Sequence, residues 1–183
     1  MTTKLPSRAD HVGSFLRPRS VIEAREKRAA GAIDPAELRA IEDEAIAELV
    51  KWQESLGLKA ITDGEFRRYF FHTDFLLQLD GVEEHGGIAK AFQNAAGKDV
   101  HFAPPKMVVS GKVKHVKPIQ LADYQYLASL VSETPKVSIP SPTMLHFRAG
   151  PVKRGNSPLR RRTILEYRAA VSRARARVMT LAL

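Results

Sequence analysis

Cysteine is missing from all 183 residues. Its absence excludes disulfides, thiolate nucleophiles and every zinc site built on sulfur, so a metal here would rest on His, Asp or Glu. Long apolar runs are missing too. None approaches the ~18–20 residues that cross a bilayer, and the opening Met-Thr-Thr-Lys-Leu-Pro-Ser has no signal-peptide core. No membrane partner is expected, and the cytoplasm is the expected compartment. Walker, GxGxxG and GxSxG signatures are absent, which removes the usual support for nucleotide binding and serine hydrolysis. The histidines His11, His72, His85, His101, His115 and His146 form no His-x-x-x-His pair and no HExxH. No metal site is expected within this chain.

What is present suits a compact soluble domain: 44% hydrophobic and 27% charged residues. The net charge of +9 is unevenly placed. Nine basic residues and a single acid, Glu166, fall in 151–183, so +8 of the +9 sits in those 33 residues. Residues 1–150 carry the nearly neutral surface of a metabolic enzyme, and 151–183 form a basic, Arg-rich tail of foreign composition. A nucleic-acid partner is therefore not expected of the domain as a whole.

Along the chain, Ala9 to Phe15 reads as a strand running into a loop at Gly13-Ser14. A helix over Arg19–Ala30 follows, with Ser20 as cap and Val21, Ile22 and Ala24 as its apolar side. Asp34-Pro35-Ala36-Glu37 is a strong helix start, with an acceptor at the N-cap, proline at the first position and glutamate at the third. Leu38, Ile41, Ala45, Leu49, Trp52 and Leu56 then recur at steps of three or four, and Gly57 stops the helix. Ala60-Ile61-Thr62 is a short strand ending at the polar Asp63-Gly64-Glu65. The aromatic segment from Arg67 to Asp80 is expected to be partly helical and buried. His101–His115 reads as an irregular β-hairpin turning at Ser110-Gly111. Ile119–Glu133 has helical spacing, and Lys136–Ile139 reads as a third strand. Three short strands separated by long helical stretches, each ending in a polar loop, are the order of parallel strands with crossover helices.

Polar residues at the carboxyl ends of such strands are where chemistry collects. The candidates are Asp10, His11 and Ser14, then Asp63 and Glu65, then Ser141 and His146, with Arg17, Arg67 and Arg68 as possible anion holders. Each has a structural alternative. A loop serine ordinarily caps a helix. Glu65 beside Arg67 and Arg68 suits a salt bridge, and a lone His11 is by default a hydrogen-bonded structural histidine.

Taken together, four motifs resemble a known family: His-Val-Gly-Ser-Phe-Leu-Arg-Pro at 11–18, Ile-Thr-Asp-Gly-Glu-Phe-Arg-Arg at 61–68, His-Thr-Asp-Phe at 72–75, and Ile-Pro-Ser-Pro-Thr-Met-Leu-His-Phe-Arg at 139–148. They are similar to cobalamin-independent methionine synthases, in particular to short members related to the C-terminal catalytic half. The resemblance runs from about Ala9 to Ala149. It implies an α/β fold, the N-terminal part of a (β/α)8 TIM barrel with about three of its eight strands and an inserted β-hairpin. It also implies zinc-dependent methyl transfer from 5-methyltetrahydrofolate to homocysteine, giving methionine. Zinc makes chemical sense there, because coordination deprotonates a thiol of ordinary pKa about 8.5. Carried over, Gly13 and Ser14 meet the homocysteine carboxylate and Glu65 its ammonium group, with His11, Asp63 and Arg17 as secondary candidates.

The family's zinc ligands, a histidine, cysteines and a glutamate, lie on later strands and have no counterpart among these motifs. Zinc is thus the family's cofactor, and none is expected to bind this chain, which is expected to be inactive alone. The tail after Ala149 is expected to be a frameshift product that does not belong to the fold, leaving an open barrel edge prone to self-association. Two alternatives stay open: another zinc-dependent alkyl transfer to a small thiol, and binding of nucleic acid or another polyanion through the basic tail.

Overall fold

The computed structural model describes residues 11–86, 90–93, 99–102, 106–141 and 144. Ala9, Asp10, His146 and the basic tail lie outside the described residues. The chain divides into two compact units, the first comprising residues up to Arg68 with Gln120–Ser138, the second Tyr69–Ile119 with the segment from Ile139 onward.

In the first unit, helix α1 (Arg19–Ala29) starts at Pro18, whose fixed φ of −59° suits a helix entry. Pro18 offers no side-chain cap, and Ser20, expected at that position, lies within the first turn instead. Val21 and Ala24 are buried and Ile22 is exposed. Helix α2 (Pro35–Ser55) begins on the expected capping box: Glu37 N–H donates to Asp34 Oδ1 at 2.8 Å and Asp34 N–H to Glu37 Oε2 at 2.8 Å. Its buried face differs from the expected stripe. Glu42, Ala45, Ile46, Val50 and Gln53 are buried, whereas Trp52 and Leu56 are half exposed or more. The face has rotated by about one residue because two polar side chains, Glu42 and Gln53, find partners inside.

Strands β1 (Ala60–Ile61) and β6 (Thr134–Pro135) pair in parallel, Ala60 opposite Thr134 and Ile61 opposite Pro135. Thr134 N–H donates to Lys59 C=O at 3.3 Å and Lys136 N–H to Ile61 C=O at 2.7 Å. Pro135 falls between these two donors, so its missing N–H costs no ladder bond. The helix before β6, α4 (Leu121–Leu130), buries Tyr124 and Leu127. Val21, Ala45, Ile46, Val50, Ile61, Phe66 and Leu127 form the unit's core.

Two expected strands are corrected. Residues 11–15 form no strand, and the last strand is Thr134–Pro135 in place of Lys136–Ile139. Side chains occupy the backbone groups that a ladder would use. Thr62 Oγ1 donates to Gly13 C=O at 2.8 Å, Lys136 Nζ to His11 C=O, and Arg68 Nη2 to Ser138 C=O at 2.8 Å.

In the second unit, a four-residue helix α3 (Thr73–Leu76) follows the aromatic segment. Phe75, Leu76 and Leu79 are buried with Val82, Met107, Val113 and Ile119, while Tyr69 and Phe71 are exposed. Strand β2 (Asp80–His85) pairs antiparallel with β5 (Lys106–Lys114), and β3 (Lys90–Gln93) with β4 (Asp99–Phe102). The expected turn at Ser110-Gly111 is overturned, since both residues lie inside β5. They sit in a bulge where the register passes from Asp80 opposite Lys114 to Val82 opposite Val109. Turn and bulge use the same local chemistry, a Gly-containing break in an alternating run. Gly81 is required opposite this bulge, because a Cβ there would lie 2.7 Å from the Lys112 carbonyl oxygen.

Candidate functional site

The site assembles in the first unit around the turn that follows β1. Both central residues of Asp63-Gly64-Glu65-Phe66 have positive φ, +67° at Gly64 and +58° at Glu65, and Phe66 N–H closes on Asp63 C=O at 3.3 Å. Positive φ at both positions is what a type I′ turn demands, and for a glutamate it is strained. Several contacts hold it there. Asp63 Oδ1 accepts Glu65 N–H at 2.9 Å, and Thr62 Oγ1 accepts Gly64 N–H at 3.2 Å. Arg17 Nη2 donates to the carbonyls of Glu65 (3.2 Å) and Arg68 (2.6 Å). Arg25 donates to Arg68 C=O at 2.9 Å and to Phe66 C=O, and it also meets Glu42 at 3.3 Å. Arg17, one of the possible anion holders, thus binds backbone carbonyls of this turn.

The turn aims the Glu65 side chain, 6% exposed, at the end of β6. Ser138 Oγ donates to Glu65 Oε1, and Arg68 Nη1 stands 3.4 Å from the same oxygen. Arg68 Nη1 also donates to Ser138 Oγ at 3.2 Å, and its guanidinium meets the Gln120 side-chain oxygen at 2.9 Å. Glu65 Oε2 takes no hydrogen bond from any described residue. Beside it runs the 11–18 loop, joined to the turn by Phe15 N–H on Gly64 C=O at 3.1 Å. Gly13 is buried at φ +139°, with Thr62 and Ser138 side chains within 3.7 Å of where a Cβ would stand. Ser14 is exposed, and the N–H groups of Gly13 and Ser14 donate to nothing among the described residues. Among the described residues, one carboxylate oxygen and two N–H donors of this unit are thus left without a hydrogen-bond partner, groups of opposite preference at the two ends of one loop pair.

The other candidates divide. His11 packs edge-on against Phe15 at 4.9 Å, and neither buried ring nitrogen has a hydrogen-bond partner among the described residues. The expectation of a hydrogen-bonded histidine is thus not met. Arg67, a candidate anion holder, is buried in a structural network with Asp43 and Asp123 and lies 5.0 Å over the Tyr126 ring. Arg68 is likewise held by Ser138 and Gln120. Ser141 belongs to the second unit and accepts Met144 N–H at its carbonyl. Sequence reasoning missed Ser138, which it placed inside a strand, and Gln53, which it left off the helix face. The signal for Ser138 was a lone hydroxyl between the apolar Val137 and Ile139 just before Pro140.

Asp63 has its pKa raised from the ordinary 3.8, because burial disfavours its charge more than Glu65 N–H, Arg68 and Arg67 favour it. A raised native value means that Asp63 contributes stability in full below its unfolded pKa and loses it as pH rises through the native one. Asparagine keeps the Oδ1 acceptor for Glu65 N–H without the charge. Asp63→Asn is therefore expected to be at least as stable as the parent at pH 7, with any gain shrinking as pH falls into the acid range. Urea midpoints at pH 3.5 and pH 7 check this; an Asp63→Asn variant less stable than the parent at pH 7 would mean that the arginines outweigh burial.

Among the described residues no helix is long and apolar enough to cross a membrane, and no three His, Asp or Glu side chains gather as a metal site would require.

The fold has solved counterparts. A Listeria monocytogenes protein solved as a candidate vitamin-B12 independent methionine synthase is 39% identical, with a TM-score of 0.63, over 78% of this chain and 39% of its own. A B12-independent methionine synthase from Shewanella sp. W3-18-1, 19% identical with a TM-score of 0.60, shares the fold. The class is thus a mixed α/β protein of the methionine-synthase type. The family profile described as the cobalamin-independent synthase catalytic domain matches residues 7–177, and the chain belongs to that family. The Bacillus subtilis protein YxjH is 45% identical over 148 residues, covering 79% of this chain and 37% of its own length. The 5-methyltetrahydropteroyltriglutamate–homocysteine methyltransferase of Bradyrhizobium diazoefficiens is 30% identical over 135 residues, 73% of this chain and 16% of that one. The chain spans less than two-fifths of the length of these relatives.

Proposed function

We propose that the first unit is the acceptor-binding part of a (β/α)8 barrel, and that the reaction it serves is methyl transfer from 5-methyltetrahydrofolate to the thiol of homocysteine. Membership of the family supports the reaction, and the parallel β1–β6 pair with its polar loops at the carboxyl ends supports the barrel. The observation that carries the proposal is Glu65: a buried carboxylate with one oxygen fixed by Ser138 and the other, like the N–H groups of Gly13 and Ser14, without a hydrogen-bond partner among the described residues. Glu65 Oε2 takes the ammonium group of homocysteine, and the Gly13 and Ser14 N–H groups with the Ser14 hydroxyl take its carboxylate. Binding both ends of the amino acid fixes the direction of its thiol, which is the positioning that a bimolecular transfer needs.

The described residues do not fit a zinc site, for they gather no His, Asp or Glu triad and the chain has no cysteine. Their part is to bind and orient the acceptor. Cytoplasmic location belongs to the same proposal.

Glu65→Gln keeps the size of the side chain and removes its charge. In the full chain it is expected to weaken homocysteine binding by roughly 2 kcal/mol, about thirtyfold, while leaving 4-mercaptobutanoate, which lacks the amino group, unaffected. Calorimetric titration of both compounds checks this. Equal homocysteine affinity in parent and variant would overturn the assignment of Glu65.

A further inference from the structure

We infer that Ser138 is a positioning residue that keeps one oxygen of Glu65 available to an ammonium group, by keeping the Arg68 ion pair from closing into a bidentate one. The inference rests on the acceptor-binding reading above and deepens it. Ser138 has one hydroxyl proton. Its oxygen accepts from Arg68 Nη1 at 3.2 Å, so the proton is directed away from the guanidinium and onto Glu65 Oε1. The Ser138 carbonyl holds Arg68 Nη2 at 2.8 Å, and the Gln120 oxygen takes a further share of the same guanidinium. With its donors drawn off in this way, Arg68 stands at 3.4 Å from Glu65 Oε1, longer than the 2.7–2.9 Å of a charge-assisted hydrogen bond. Glu65 thus keeps one oxygen for a ligand, although a guanidinium lies beside it.

Without the hydroxyl, Arg68 Nη1 loses an acceptor and Glu65 Oε1 loses a donor, and the two satisfy each other directly. Arginine and carboxylate then favour a bidentate pair that occupies both oxygens. The ligand ammonium has to compete with that pair, whereas a ligand without an amino group is indifferent to it. This difference separates positioning from a merely structural role, which would weaken both ligands alike.

The test is calorimetric titration of the full chain with L-homocysteine and with 4-mercaptobutanoate, in the parent, Ser138→Ala, Ser138→Thr and Glu65→Gln. The ratio of the two affinities is the measured quantity. Ser138→Ala is expected to lower the ratio about tenfold, with 4-mercaptobutanoate affinity unchanged, and Ser138→Thr, which keeps the hydroxyl, to retain the parent ratio. If the parent shows the preference and Glu65→Gln abolishes it while Ser138→Ala retains it in full, the role of Ser138 is overturned and that of Glu65 stands. A fall in the affinity of both ligands with an unchanged ratio likewise overturns it. A parent that shows no preference for homocysteine overturns the acceptor-binding reading and this inference with it.

Discussion

Replacing Gln53 by leucine is expected to destabilise the first unit by about 2–5 kcal/mol, more than an exposed position on the same helix would, although glutamine to leucine adds apolar surface. Gln53 is fully buried and its amide serves both sides of one residue: Nε2 donates to Thr62 C=O at 2.8 Å, and Oε1 accepts Thr62 N–H at 3.0 Å. Thr62 sits just past β1, where a wider sheet would satisfy those groups by pairing. Leucine fills the space and leaves one buried donor and one buried acceptor unpaired, each costing roughly 1–3 kcal/mol. Thr62 Oγ1 also holds Gly13 and Gly64, so the loss spreads to both loops of the site. Trp52, the only tryptophan, stacks edge-on with Phe15 at 5.7 Å and reports on this region by fluorescence. Urea unfolding followed at Trp52 measures the effect, with Glu48→Ala on the exposed side of α2 as the comparison, expected to lie within about 0.5 kcal/mol of the parent. A Gln53→Leu protein as stable as the parent would show that water or a shifted backbone satisfies Thr62 equally well.

Gln53 also shows where sequence reasoning stops. The start of α2 was legible because a capping box is local: Asp34 and Glu37 are three residues apart and satisfy each other's backbone donors. The stop at Gly57, with φ +76°, was legible for the same reason. The face that α2 buries was not. Periodicity assigns apolar residues inward, yet Gln53 and Glu42 turn inward because Thr62 and Arg25, nine and seventeen residues away, answer them. Glu42 is driven toward its neutral form by burial, with Arg25 opposing, so nothing in its own identity marks it as a core residue. The site was half legible. Gly13, Ser14 and Glu65 stand in short motifs, and the structure gathers their loops through one backbone bond, Phe15 N–H to Gly64 C=O. Ser138 was not legible, because its partner lies 73 residues away and Lys136–Ile139 alternates as a strand does. Where that strand was expected, the Arg68 side chain takes up the Ser138 carbonyl, and the Ser138 hydroxyl turns to the Glu65 and Arg68 side chains.

The turn itself gives the second large effect. Gly64→Ala is expected to cost about 2–4 kcal/mol and to disorganise Glu65 along with the fold. At φ +67° an L-residue carries roughly 1–2 kcal/mol of strain. The added Cβ would also stand 2.5 Å from Leu49 Cδ2 and 2.8 Å from Phe66 Cε1. Leu49 can swing aside, but Phe66 is 2% exposed in the core and moves only by disturbing its neighbours. Glu65 is already at φ +58°, so a second strained residue beside it leaves the turn no unstrained position from which to relax. The outcome to expect is a lower urea midpoint together with a loss of homocysteine affinity at least as large as that of Glu65→Gln. Gly31→Ala is the control: its φ is +74° but a Cβ there meets nothing within 4 Å, so it should show the backbone cost alone and leave binding intact. If Gly64→Ala matched Gly31→Ala in both measurements, the close packing of the turn on Leu49 and Phe66 would not be what holds Glu65 in place.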